Sequence, residues 1–137
     1  MEIEQTLARY GATSFASGWQ GSKAVVVFEA HKRRVKFILP LPDKAEFKKD
    51  PRATWRVVPE SVAQEKWEQE VRRLWRSMLL AIKAKLEVVN SGIATFEEEF
   101  LSHVVLPDGR TFGEWAKPQL DNAYERGHMP PLLTSGE

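Results

Sequence analysis

The sequence predicts an α+β fold: a short N-terminal helix, a three-stranded antiparallel β-meander packed on one long helix, and two shorter C-terminal helices. Three observations carry this. Valine- and phenylalanine-rich runs before Pro42 are separated by two- or three-residue turn signals. A single stripe of helical spacing runs from Trp67 to Val89. Beyond it, Thr95 with Glu98 and Thr111 with Glu114 have the spacing of capping boxes.

The elements follow in order. From Glu2 to Tyr10, Ile3, Leu7 and Tyr10 share one helical face, and Gly11 stops the helix. Thr13 to Trp19 alternates small polar with apolar residues, and Gln20-Gly21-Ser22 is a turn. Lys23 to Ala30 is the second strand, His31-Lys32-Arg33 the next turn, and Arg34 to Leu39 the third strand, closed by Pro40 and Pro42. Residues 42–59 read as a long basic loop with few apolar positions. Ser61 to Asn90 reads as the spine of the fold. Ser61 and Gln64 have capping-box spacing, and Trp67, Val71, Leu74, Trp75, Met78, Ile82, Leu86 and Val89 line one stripe. At about 1.5 Å per residue this helix is roughly 40 Å long. Trp67 and Trp75 belong to that core stripe, with self-association as the other use of the same face. Phe96 to about His103 forms the next helix, Val104 to Leu106 is extended, and Pro107-Asp108-Gly109 turns. The last helix runs from Thr111 to Arg126, with Pro118 imposing a kink or restart and Gly127 ending it. Residues 128–137 read as a frayed tail.

The chain of 137 residues is sized for one domain spanning residues 1–137 and contains no cysteine, which removes disulfides, thiolate metal sites and a cysteine nucleophile. The start is acidic and polar rather than signal-like, and no apolar run approaches a membrane span, so the expected location is the cytoplasm of a host cell. Charge is unevenly spread. Residues 1–59 hold eleven Lys/Arg against six Asp/Glu, whereas residues 95–137 hold three against eight.

No catalytic signature emerges. His31, His103 and His128 have no partner at metal-ligand spacing, and no glycine-rich phosphate loop is present. Pro42-Asp43 before Glu46-Phe47-Lys48, and Pro107-Asp108 before Glu114 and Lys117, imitate a metal-dependent nuclease pattern with the wrong spacing. The expectation is a protein without catalytic residues, metal or cofactor. The distinctive constellation is basic: Lys32, Arg33, Arg34 and Lys36 on the second hairpin, then Lys49 and Arg52 in the loop beside Trp55. Cations neutralise phosphates and aromatic faces stack on unpaired bases, so these residues, with Trp19 as a further stacking face, would suit a single-stranded nucleic acid.

The phrases Ile3-Glu4-Gln5-Thr6-Leu7-Ala8-Arg9-Tyr10-Gly11-Ala12, Val35-Lys36-Phe37-Ile38-Leu39-Pro40-Leu41-Pro42-Asp43, Ile82-Lys83-Ala84-Lys85-Leu86-Glu87, Phe96-Glu97-Glu98-Glu99-Phe100-Leu101 and Val105-Leu106-Pro107-Asp108-Gly109-Arg110-Thr111 resemble a family of small uncharacterised proteins of bacteriophages and prophages. That resemblance covers most of the chain and implies no particular activity. The order helix, three strands, long helix is similar to the double-stranded-RNA-binding domain, whose lysine cluster is replaced here by Ser61-Val62-Ala63-Gln64-Glu65. It is also similar to the single-strand annealing proteins of phages, which bind single-stranded DNA in a basic groove. The topological likeness implies an accessory protein that binds single-stranded nucleic acid in DNA replication, recombination or annealing. The alternative is a protein-binding module acting on a host polymerase or defence complex, with oligomerisation open in either case. An enzyme, probed through Asp43 and Asp108, is the third expectation.

Overall fold

The computed structural model describes residues 2–50 and 52–129. Its first helix, α1 (Glu2–Arg9), leads into an antiparallel meander of β1 (Ser14–Gln20), β2 (Lys23–Ala30) and β3 (Arg33–Pro40), ordered β1-β2-β3. The fold is the expected α+β arrangement. Both turns of the meander have two residues. Gly21 carries the positive φ of the first (64°), while His31 and Lys32 adopt positive φ (51° and 66°) in the second. Left-handed backbone at two consecutive non-glycine residues is strained and persists only where the surroundings hold it.

Strand alternation divides the sheet into two faces. Val26, Phe28, Val35 and Phe37 are buried against the helix α2 (Glu60–Asn90), whose Leu79, Ile82 and Leu86 complete the main core with Leu7 of α1. Burying each such side chain is worth about 1.5–3 kcal/mol. A second cluster joins Ala24, Leu39 and Leu41 to Val71, Leu74, Trp75 and Met78, so α2 runs antiparallel to β3. Trp75 packs in both clusters, and Trp67 Nε1 donates to the Pro42 carbonyl at 2.8 Å. The two tryptophans therefore serve the interior side of the helix.

Two local expectations are corrected. Residues 42–59 are not a structureless loop. Asp43 caps a 3-10 turn over Lys44–Phe47, and the strands β4 (Lys49–Asp50) and β5 (Ala53–Val57) then pair as a ribbon. Backbone pairing, extended by Val58 N–H to the Lys48 carbonyl at 2.9 Å, supplies the order that the sparse apolar residues did not announce. The Ser61/Gln64 box does not form. Pro59 occupies the cap position, its carbonyl accepts from Val62 and Ala63, and Gln64 turns to Glu68. With Glu60 as the first helical residue, Ser61 lies inside the first turn and cannot act as the cap.

The C-terminal part comprises α3 (Phe96–Phe100), a 3-10 turn over Leu101–His103, and α4 (Phe112–Arg126). The expected boxes at Thr95/Glu98 and Thr111/Glu114 are both present. Pro118 lies within one continuous α4 and does not restart it. Pro118 and Glu114 are both exposed, so the missing helical donor falls on the solvent side of α4. Residues 130–137, most of the tail expected to fray, lie outside the described residues.

Candidate binding surface at the sheet edges

The register defines which backbone groups each edge offers. Gln20 and Lys23 flank a two-residue turn and form a mutually bonded pair, so Ser14, Ala16, Gly18 and Gln20 direct their peptide groups toward β2. Phe15, Ser17 and Trp19 direct theirs away from the sheet. The same alternation makes Arg34, Lys36 and Ile38 point theirs outward from β3.

These two rows of outward groups meet different fates. The Arg34 carbonyl accepts from Val105 N–H at 2.9 Å, and Val104 bridges to Val35. Residues 104–111 fold back on themselves, with Leu106 N–H donating to the Arg110 carbonyl and Phe112 N–H to Val104. This small hairpin covers the β3 edge at Arg34 and Val35. It is held in place from behind by Phe100, fully buried and edge-on to Phe28 and Phe37 with centroids 6.0 Å away in each case. Along β1, by contrast, no strand or bridge occupies the outer side among the described residues. Every residue of β1 except Phe15 is exposed, and Trp19 is 63 % exposed although it lies on the helix-facing side of the sheet.

The basic residues expected to bind nucleic acid divide between separate places. Lys32, Arg33 and Arg34 line one cleft of about 800 Å³ together with Glu29, Glu97, Pro107 and Phe112. Two of the three are already engaged: Arg33 Nε donates to Glu97 Oε1 at 2.8 Å, and Arg34 Nη2 to Glu29 Oε1 at 3.0 Å. The His31 ring stacks on Phe96 with centroids 4.7 Å apart. Together the His31 stack and the Arg33 ion pair fasten the strained turn to α3, joining the basic first part of the chain to the acidic last part. Lys36 lies on the outer face of the sheet, where a shallow groove of about 490 Å³ runs over Ala16, Gly18, Val25 and Val27. Lys49 and Arg52 belong to the ribbon that follows the opposite end of β3. Arg33 and Pro40 bracket that strand, about 23 Å apart at roughly 3.3 Å per residue. The Trp55 side chain lies outside the described residues.

The acidic residues have local tasks. The Asp43 carboxylate accepts from Ala45 N–H. The Asp108 carboxyl is held below its ordinary range first by the Arg110 side chain, then by the Arg110 amide. The Glu114 carboxyl is lowered by its bonds to the backbone and side chain of Thr111. Among the described residues no group of three acidic or histidine side chains is placed to hold a metal ion, and no helix is long and apolar enough to cross a membrane. The sequence reading missed the contrast between the edges. Its one available signal was the uncharged run Ser14 to Gln20, unusual for a strand left at an edge.

No family model, curated protein or solved structure matches this chain.

Proposed function

We propose that this chain is a non-catalytic binding module whose β1 edge takes up an additional strand from a protein partner. The observation that carries the reading is the asymmetry of the sheet. One edge is paired at Arg34 and Val35 by the chain's own hairpin, and the other is a seven-residue strand with no charge, no proline and outward peptide groups at Phe15, Ser17 and Trp19. Edge strands exposed without charge or proline are competent templates for strand addition, in which main-chain hydrogen bonds supply affinity and alternate side chains supply selectivity. The resemblance to small bacteriophage and prophage proteins makes a phage or host protein the natural partner. Ser17→Pro provides the test. It removes an outward N–H while leaving the β1–β2 ladder intact, so the immobilised wild-type chain should retain a protein from host extract that the variant loses. Equal retention by both, with no self-association of the wild type that the variant loses, would remove the edge from consideration.

A second reading keeps the single-stranded nucleic acid. It is favoured by Lys32, Lys36 and Lys49, for which no acidic side chain stands within ion-pair distance among the described residues. It requires tryptophan fluorescence to respond to single-stranded oligonucleotides with a steep salt dependence that Lys32→Glu and Lys49→Glu abolish. An unresponsive wild-type protein at low salt would end it.

A further inference from the structure

The β1 strand is complementary to itself, and we propose that the partner of the open edge is the β1 strand of a second copy, giving a two-fold dimer with one continuous six-stranded sheet. The inference rests on the strand-addition reading and names its occupant.

Peptide direction restricts the register to steps of two residues, and β1 overlaps along its full length only when the axis lies at Ser17. An antiparallel pair related by a two-fold axis must join an outward-directed residue to an outward-directed residue, and the centre of that row in β1 is Ser17. Placing the axis there sets Ser17 against Ser17 of the second copy, Phe15 against Trp19, Ala16 against Gly18, and Ser14 against Gln20. Each pairing is chemically favourable. Phe15 and Trp19 both lie on the helix-facing side, so two aromatic cross-strand pairs form there. They cover the Trp19 ring that the isolated chain leaves 63 % exposed. Ala16 and Gly18 are small and leave the outer groove open across the junction. Ser14 and Gln20 are neutral and polar.

Charge does not oppose this register. β1 itself is uncharged. Beyond it, Ser14 neighbours Glu29 and Gln20 neighbours Lys23 on the same outer face. The pairing therefore aligns Glu29 of one copy with Lys23 of the other across three strand spacings, about 14 Å. No like charges are brought opposite one another. A sheet slipped by one residue would instead oppose bonded and free peptide groups and place Trp19 beside a small residue.

Because residue 17 lies on the axis, it meets its own copy, and this makes the test specific. Wild-type protein alone should sediment at twice the chain mass. Ser17→Lys and Ser17→Glu should each sediment at the chain mass, since like charges directly opposite repel. An equimolar mixture of the two should return to twice the chain mass, with circular dichroism confirming that each is folded. Wild-type protein at the chain mass at its highest soluble concentration would overturn the proposal. So would a dimer unaffected by either substitution. If the purified chain stays monomeric while Ser17→Pro still loses a protein from extract, only the choice of occupant fails. If neither effect is seen, the strand-addition reading fails with it.

Discussion

The two edges of the sheet solve the same problem in opposite ways. At β3, the outward Arg34 carbonyl is taken by Val105 and Val104 bridges to Val35, next to the buried Phe100 and the turn that follows it. At β1, the outward groups of Phe15, Ser17 and Trp19 have no counterpart within the described chain. The difference teaches that the C-terminal part is a closure for one edge rather than a separate unit, and that the unclosed edge is where binding is to be sought. Removing that phenylalanine tests this most severely. Phe100 is fully buried, stacked on Phe96 and edge-on to Phe28 and Phe37. Phe100→Ala should cost about 3–5 kcal/mol in urea denaturation. The Val105 amide should lose its protection from hydrogen exchange at the same time. A loss below about 1 kcal/mol would mean that the seal is held elsewhere.

A gentler break acts on the second layer of the closure. A Cβ added at Gly113 would lie 3.0 Å from the Ser102 carbonyl oxygen, so α4 approaches the 3-10 turn closely only because that side chain is missing. Gly113→Val should destabilise the protein by about 1–3 kcal/mol through overpacking. Its effect on exchange should be confined to residues 101–115, leaving the β1 amides as labile as before. Faster exchange throughout the meander would show that the two edges are coupled rather than independent.

Much of this architecture was legible because local chemistry and global packing agree. The valine-rich strands, the stripe from Val71 to Val89 and both threonine capping boxes form as their residues dictate. The failures are places where local patterns compete. Ser61 and Gln64 have the right spacing, but the helix is capped two residues earlier, at Pro59. Pro118 reads as a kink or restart, yet α4 continues through it where Glu114 and Pro118 are both exposed. The ribbon β4–β5 owes its order to backbone pairing, which leaves a faint trace in side-chain pattern. For the surface, the sequence showed which residues were cationic but not that Glu97, distant along the chain, stands against Arg33. Nor could it show that Val104 pairs with Val35. Long-range pairing is a property of the fold, and single-chain spacing carries no record of it.

The closure also has a pH dependence. His103 sits half-buried on Phe37, with ring centroids 4.0 Å apart. Its pKa is lowered by burial first and by Lys85 second, against a smaller opposing bond to the Lys36 backbone. A histidine with a depressed folded-state pKa is neutral in the fold while the unfolded chain takes up a proton. The sealed edge is therefore fully stable above the ordinary imidazole value of about 6.5 and loses stability as pH falls below it. His103→Phe keeps the stack and removes the titration, so its urea midpoint should stay flat from pH 7 to about 5.5, where the wild type declines. The carboxylates of Glu98 and Glu114, lowered by their capping bonds, act in a separate window at more acidic pH, where protonation removes their contribution. A wild-type midpoint unchanged across the histidine window would show that the Phe37–His103 contact opens freely to water.

The smallest expected effect concerns the ion pair that ties the strained turn to the closure. Arg33 and Glu97 are each about half exposed, at 48 % and 53 %, and their 2.8 Å contact is open to solvent and salt. A double-mutant cycle of Arg33→Ala and Glu97→Ala should give a coupling of only about 0.2–1 kcal/mol, shrinking as salt is added. The turn itself should hold in every member of the cycle, because the His31–Phe96 stack remains. The same variants sharpen the contrast between surfaces. If the basic turn is fastening and not a ligand site, Glu97→Ala frees Arg33 without creating oligonucleotide affinity, and dimerisation through β1 is untouched by all of them. Oligonucleotide binding that appears when Glu97 is removed would instead make the glutamate a competitor for an anionic ligand, and would move the search for function from the open edge to the sealed one.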